Sequence, residues 1–140
     1  MKVLNVNDLD GTEYDVTHGN WQSRRMVLAK DKVGFSFHIT ILKAGTSSEF
    51  WYANHVEAVW LTRGKGTLRD LTNGKEYPLE AGTMYLLDGH ERHTVTADTQ
   101  LRMLCVFNPP VVGTEVHDEH GVYPLITLPE QAPGRHSEDA

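Results

Sequence analysis

The chain has 140 residues, of which 39% are hydrophobic, and its 19 acidic and 13 basic residues give a net charge of -6. This length indicates one domain, large enough to bury a core, and the acidic balance argues against nucleic-acid binding, which needs a basic face. Cys105 is the only cysteine, so no internal disulfide can form, as is usual in a reducing compartment. The first ten residues lack the apolar core of a signal peptide, and no apolar run is long enough to span a membrane. We therefore expect a soluble cytoplasmic protein with neither nucleic acid nor membrane as a partner.

Strand-like segments alternate with turns along most of the chain. Apolar and polar residues alternate within these segments, and no useful stretch has helical periodicity. Short strands at regular spacing are typical of an all-β sandwich or barrel. About ten short strands are expected, and the extended segments are Lys2–Val6, Glu13–Thr17, Trp21–Leu28, Phe35–Leu42, Ser48–Ala53, His55–Thr62, Thr67–Leu71, Lys75–Leu79, Thr83–Leu87, His93–Ala97 and Leu101–Phe107.

Two of these segments carry further signals. Asn73-Gly74 lies between extended segments and predicts a tight hairpin, and Pro78 places the second arm at a sheet edge because proline cannot donate to a ladder. In Phe35–Leu42, Ser36, His38 and Thr40 share one face. That face either meets water or, in a barrel, lines a ligand cavity.

Glycines bracket candidate metal ligands between Gly45 and His93. The spacing of Gly45, Glu57 and Gly64, and then of Gly82 and His93, resembles the two motifs of the cupin superfamily. This resemblance implies a jelly-roll-like β-barrel of antiparallel strands with little helix. Two usual histidine ligands are absent, because Trp51 and Ala53 occupy their positions; in the second motif, Asp88 and His90 occupy the usual proline and glycine positions.

Tyr85 offers a replacement ligand. It lies between Gly82 and His93, at the start of a predicted hairpin whose return arm carries His93, and cross-strand neighbours can bring such side chains together. A carboxylate, a phenolate and an imidazole suit Fe(II) best, with Zn(II) or Mn(II) as alternatives. Each residue also has a simpler interpretation: Glu57 paired with Arg25, Tyr85 as a core aromatic, and His93 as a core or turn histidine.

The departures from the cupin pattern point to a narrower group. Five segments together are similar to the ectoine synthase family, in the right order and over about residues 1–123. The similarity implies one cupin domain over residues 1–123, including a pocket-closing segment at 113–123, followed by a flexible tail at 124–140. The segments are Gly19–Ser23, Ser36–Thr40, His55–Val59, Cys105–Pro109 and Gly113–His117.

The resemblance implies a cytoplasmic, iron-dependent, homodimeric hydro-lyase that closes N-γ-acetyl-L-2,4-diaminobutyrate into the compatible solute ectoine. Glu57, Tyr85 and His93 would hold the metal. Glu115, His117, Tyr52 and Arg25 would take part in catalysis. The residues implied to bind the substrate are Trp21, Ser23, Arg25, Thr40, Tyr52, Cys105, Phe107, Glu115 and His117.

Three functions therefore compete. The first is a metal-assisted cyclodehydratase. The second is a non-catalytic cupin that binds a small solute, suggested by the missing histidines at Trp51 and Ala53. The third is an iron dioxygenase, suggested by a site with two anionic ligands and one imidazole.

Overall fold

The computed structural model describes residues 1–113, 116 and 122. Two short 3-10 helices, Val6–Leu9 and Ala29–Asp31, are the only helices in these residues, and neither could span a membrane. The described strands are β1 (Asp15–His18), β2 (Trp21–Val27), β3 (Ser36–Leu42), β4 (Thr46–Phe50), β5 (Val56–Arg63), β6 (Gly66–Asp70), β7 (Glu76–Leu79), β8 (Met84–Leu87), β9 (His93–Ala97) and β10 (Leu101–Asn108).

The strands form two antiparallel sheets. The larger sheet has six strands in the order β1-β2-β3-β10-β5-β8, and the smaller has four in the order β4-β9-β6-β7. The prediction of an all-β protein with about ten strands is confirmed. The chain passes between the sheets several times, so residues close in sequence often lie on opposite walls.

The core lies between the sheets and is built by strand alternation. On β10, Leu101, Met103, Cys105 and Phe107 are buried. On β3, Ser36 and His38 are fully buried too. The polar face of β3 therefore points into the barrel, and its interpretation as a water-facing surface is wrong.

The hairpin predicted at Asn73-Gly74 joins β6 and β7. Arg69 pairs with Glu76, and Gly74 has a φ of 76°, which glycine adopts without steric cost. β7 is the edge strand of the smaller sheet. The prediction that Pro78 lies at an edge is confirmed.

The motif glycines occupy turns that other residues would strain. Gly64 has a φ of 102°, and a Cβ atom there would lie 2.2 Å from the carbonyl oxygen of Gln100. Any side chain would therefore push the β5–β6 turn away from the loop before β10. This glycine maintains the scaffold and does not itself contribute to the site chemistry.

The predicted strand at Lys2–Val6 is absent. The Asn5 side chain accepts a hydrogen bond from the backbone N–H of Asn7 at 2.9 Å and caps the 3-10 helix that begins at Val6. Capping by asparagine competes with extended structure. Alternation over so few residues gave the wrong prediction.

The predicted hairpin between Tyr85 and His93 is also wrong. β8 pairs with β5 in the larger sheet, where Tyr85 lies opposite Val59. β9 pairs with β4 and β6 in the smaller sheet. Residues 88–92 therefore cross from one sheet to the other, and residues 51–55 make a second crossing between β4 and β5.

Candidate metal and substrate site

A cavity lies inside the barrel, with walls from both sheets. Its volume is about 20 Å³, enough for a metal ion or a single water molecule. Glu57 and Tyr85 enter it from the larger sheet and His93 from the smaller. The lining residues are Trp21, Thr40, Leu42, Phe50, Tyr52, Glu57, Val59, Tyr85, His93, Val95, Met103, Cys105 and Phe107.

Glu57 is a carboxyl group in apolar surroundings, with only 4% of its surface exposed. Burial raises its pKa from 4.5 to about 8, and only a hydrogen bond with Cys105 opposes this rise. Among the described residues, no positive charge from Arg25 or another cation contributes to that pKa. The simple pairing of Glu57 with Arg25 is therefore not supported. A cation bound beside the carboxyl group would stabilise its ionised form.

Tyr85 projects from the neighbouring strand β8. Its hydroxyl donates to the sulfur of Met103 at 3.9 Å, a weak acceptor. Burial raises the pKa of the phenol well above 10, and the charges of Glu57 and Cys105 raise it further. Only a metal cation bound beside it would make the phenolate accessible near neutral pH.

His93 faces Tyr85 from the opposite sheet, and their ring centroids are 6.4 Å apart. Its Nδ1 donates to the carbonyl oxygen of Glu91 at 2.9 Å, which leaves Nε2 as the unprotonated nitrogen. Burial lowers the pKa of the imidazole below 6.5. A neutral imidazole with a fixed tautomer is the form that binds a metal.

These three side chains fit a divalent cation. A buried carboxyl with a raised pKa, an enclosed phenol and a neutral imidazole are donors that a metal would satisfy. The described residues contain no cluster of three or more His, Cys, Asp or Glu side chains arranged for a metal. A metal site here would therefore need tyrosine as its third donor, and the role of Tyr85 as a ligand stays a prediction.

A second cavity, of about 280 Å³, opens between the edges of β7 and β8. Tyr85 and His93 line both cavities and so form part of the wall between them. Asp70 and Glu91 lie on the outer side, and the charge of Asp70 raises the pKa of His93. Tyr85 and His93, two of the three predicted ligands, are thus reached from two directions.

Five of the predicted substrate-binding residues line the inner cavity. The Cys105 thiol donates to Thr40 Oγ1 at 3.4 Å. Tyr52 contacts the edge of Phe107, with ring centroids 5.0 Å apart. The five are Trp21, Thr40, Tyr52, Cys105 and Phe107.

Ser23 and Arg25 are buried on β2 but are not part of the described cavity lining. The guanidinium Nε of Arg25 donates to Ser23 Oγ at 3.3 Å. His38 lies opposite Arg25 on β3, and the His38 ring is 5.3 Å from that of Phe107. Arg25 thus supplies a buried positive charge one strand beyond the cavity wall.

Glu115 and His117 lie outside the described residues, as do the tail at 124–140 and most of the predicted pocket-closing segment. Their predicted roles stay predictions.

Sequence reasoning missed several members of the site. Phe50 stacks on Tyr52, with centroids 6.2 Å apart, and Met103 accepts the Tyr85 hydroxyl. His38 is on the polar face noted in the sequence, and the structure shows that neither of its ring nitrogens has a hydrogen-bond partner in the described part of the chain. His90, at the usual glycine position of the second motif, bonds to two backbone carbonyls. Strand alternation could have found His38; His90 left no such signal.

Known proteins resemble the chain over nearly its whole length. The family model for ectoine synthase matches residues 1–127. L-ectoine synthase from Rhodococcus erythropolis is 62% identical over 131 residues, which are 92% of this chain and 99% of that protein. L-ectoine synthase from Nocardia farcinica is 58% identical over 129 residues, 92% of this chain and 98% of that protein.

Solved structures give the same result for the fold. Ectoine synthase from P. lautus superposes with a TM-score of 0.81 at 44% identity, covering 96% of this chain and 97% of that one. A cupin 2 conserved barrel domain protein from Salinispora arenicola superposes with a TM-score of 0.60 at 21% identity, covering 76% of this chain and 87% of that one, and shows the fold alone. The predicted cupin barrel is confirmed. The chain therefore belongs to the ectoine synthase family and is an enzyme of the hydro-lyase class.

Proposed function

We propose that this enzyme closes N-γ-acetyl-L-2,4-diaminobutyrate into ectoine with loss of water, using Fe(II) held by Glu57, Tyr85 and His93. The observation that carries the proposal is the meeting of a raised-pKa carboxyl, a phenol and a neutral imidazole in a closed cavity. Family membership supports the reaction, and the donor set supports iron over Zn(II) or Mn(II).

The reaction balances without an oxidant. The α-nitrogen attacks the acetamide carbon, a C–N bond forms, and the C–O bond then breaks. The substrate ammonium gives up two protons, which leave with the carbonyl oxygen as water, and the product amidinium keeps the positive charge. A bound metal would supply Lewis-acid polarisation of the carbonyl oxygen.

The chain folds the substrate back on itself. Arg25 presents a guanidinium fork that suits the substrate carboxylate, and Ser23 orients it through the bond to Nε. The rings of Trp21, Tyr52 and Phe107 confine the reacting atoms. Holding the amine next to the carbonyl gives the effective-molarity advantage of an intramolecular reaction.

Exclusion of water matters because water favours the open amide. The cavity is walled by Phe50, Phe107 and Val95 as well as the polar residues. By the family resemblance, Glu115 and His117 would carry the two protons from the amine to the departing oxygen. Thr40 and Cys105 would contact the substrate, which is supported by their place in the cavity lining with Glu57, Tyr85 and His93.

Ring formation under anaerobic conditions tests the proposal. Iron-loaded protein is incubated with the acetylated diaminobutyrate, and NMR should show the ring amidine accumulating without oxygen. No ring product would defeat the proposal and leave a solute-binding cupin. Oxygen consumption that parallels substrate loss would indicate the dioxygenase instead.

We also propose that the enzyme is a cytoplasmic homodimer. The outer face of β5 and β8 supports this, because Trp60 (49% exposed) pairs across the strands with Met84 (61% exposed), and Leu86 is 49% exposed. A contiguous apolar surface of this kind is typical of an interface. In sedimentation experiments, Trp60→Glu should convert a dimer into a monomer; a wild-type monomer would contradict the assignment.

A further inference from the structure

The two crossings between the sheets hold each other through reciprocal hydrogen bonds. The indole Nε1 of Trp51 donates to the carbonyl oxygen of His90 at 3.0 Å. In return, Nδ1 of His90 lies 2.9 Å from the carbonyl oxygen of Tyr52 and 3.1 Å from that of His55. We call these contacts between Trp51, His90 and the two carbonyls the clasp.

The chemistry of the clasp fixes the role of the His90 ring. Carbonyl oxygens only accept, so Nδ1 must carry a proton and donate to both. Within the first crossing, the His55 backbone nitrogen lies 3.4 Å from the Tyr52 carbonyl oxygen, which is a long hydrogen bond. His90 is therefore the nearer donor to that oxygen.

Both clasp residues occupy positions where the sequence departs from the cupin pattern. Trp51 stands at a usual histidine position and His90 at a usual glycine position. The two departures contact each other directly. Arg92 covers the outside of the clasp, with its guanidinium 4.5 Å from the centre of the Trp51 ring.

The topology gives the clasp its effect. Glu57 lies two residues beyond His55 at the start of β5, and His93 lies three residues beyond His90 at the start of β9. The two strands belong to different sheets and share no ladder. A hydrogen bond between the crossings therefore limits how far the first residues of β5 and β9 can move apart.

We propose that His90 is a positioning residue, which holds Glu57, His93 and the Tyr52 ring in one arrangement by clasping the two crossings. The expected effect on kinetics rests on the proposed function, whereas the expected effect on the two crossings does not. His90 is not among the described cavity-lining residues, and its hydrogen bond to the carbonyl oxygen of Tyr52 links it to that lining.

Three substitutions at His90 separate the donor from the backbone conformation. The φ of His90 is 55°, which glycine and asparagine tolerate and most other residues do not. His90→Gly keeps this conformation and removes the donor. His90→Asn keeps the conformation and places an amide N–H near the position of Nδ1, whereas His90→Gln places it too far out.

Iron affinity and kcat/KM should depend on whether residue 90 can donate a hydrogen bond to the first crossing. Loss of a residue that orients metal ligands typically costs about tenfold or more. His90→Gly should raise the dissociation constant for Fe(II) and lower kcat/KM by about tenfold each, while His90→Asn stays within about threefold of wild type. Trp51→Phe keeps an aromatic ring and removes the indole N–H, so it should give a smaller loss of iron affinity and of kcat/KM.

Hydrogen exchange tests the clasp without catalysis. The His55 amide should exchange about tenfold faster in His90→Gly than in wild type or His90→Asn. Equal exchange and equal iron affinity in wild type and His90→Gly would overturn the proposal, as would equal defects in His90→Gly and His90→Asn. If wild type forms no ring product but His90→Gly still loosens His55 and weakens iron binding, the clasp stands and the proposed function fails.

Discussion

Two buried polar regions flank β10 inside the same barrel and differ in the charge they favour. On one side, β5 and β8 carry Glu57 and Tyr85, with His93 facing them. On the other side, β3 and β2 carry His38 and Arg25. Phe107 on β10 lies between the two regions, beside Glu57 on β5 and Ser36 on β3.

Within the part of the chain that the structure describes, no positive charge contributes to the pKa of Glu57 or Tyr85 in the first region, whereas the second region contains Arg25. Burial raises the pKa of both Glu57 and Tyr85, so each anion needs a cation to form. Burial and the charge of Arg25 lower the pKa of His38, so this imidazole stays neutral. The first region would therefore favour a cation, whereas the second, which lies outside the described cavity lining, would favour an anion.

We expect a dipolar substrate to direct its carboxylate towards Arg25 and its acetamide towards Glu57 and His93. The rings of Tyr52 and Phe107, with centroids 5.0 Å apart, line the cavity. A substrate that folds back on itself would bring its amine next to its acetamide, which is the geometry that ring closure requires.

Removal of the first region's ligands should have the largest effect. We expect Glu57→Ala and His93→Ala to lose stoichiometric iron and to lower the rate of ring closure by at least about a hundredfold. Elemental analysis and the NMR assay measure the two quantities. Glu57→Gln is the matched control for shape, because it keeps the volume and removes the anion. Full iron content in any of these variants would contradict the ligand assignment.

The guanidinium fork of the second region is tested by Arg25→Lys. Lysine keeps the positive charge but loses the two-pronged fork, so KM should rise by about tenfold or more while iron content is unchanged. Steady-state kinetics and metal analysis on the same preparation check this split. A loss of iron with unaltered KM would place Arg25 in the first region's function instead.

His38 should make the metal-free protein less stable in acid. Its folded pKa lies below 6.5, so below that pH the unfolded chain binds the proton more readily and stability is lost as the pH falls. The groups facing it are Arg25 and His55, which both disfavour its protonation. The slope reaches at most about 1.4 kcal/mol per pH unit.

Urea unfolding at pH 7.5 and pH 5.5 measures this slope. Glu57 contributes with the opposite sign, because its raised pKa makes stability fall as the pH rises from 4.5 towards about 8. The comparison of wild type with His38→Gln isolates the histidine. The variant should lose less stability in acid than wild type, and identical losses would show that His38 does not titrate on unfolding.

Cys105→Ala should have the smallest effect. The hydrogen bond of Cys105 lowers the pKa of Glu57, so its removal should shift the pH midpoint of iron binding upwards. The loss of affinity at pH 7 should be less than about tenfold, as for one neutral hydrogen bond. An isothermal titration across pH values measures the shift; a downward shift would indicate that Cys105 is only a core residue.

Strand alternation predicted most of the fold. The bounds of β9 are those expected, and Ser36 and His38 share a buried face of β3, because each position in a strand has only two possible directions. Pairing was harder. Tyr85 and His93 are close in sequence and meet in space, but they meet across the barrel, which local patterns cannot distinguish from a hairpin.

The site was predicted where residue type and spacing agree. Glu57, Tyr85 and His93 do converge on one cavity, whereas their role as ligands stays a prediction. His90 was missed because its partners are backbone carbonyls, which leave no trace in the sequence. Glu115 and His117 lie outside the described residues, and only the family resemblance supports their roles.

An anaerobic titration of metal-free protein with Fe(II), followed by the rate of ring closure, tests the central claim most directly. If Glu57, Tyr85 and His93 form a single catalytic metal site, the rate rises in proportion to added iron and reaches a plateau at one iron per chain. A rate that is already maximal without iron, or that never rises with it, would contradict the account.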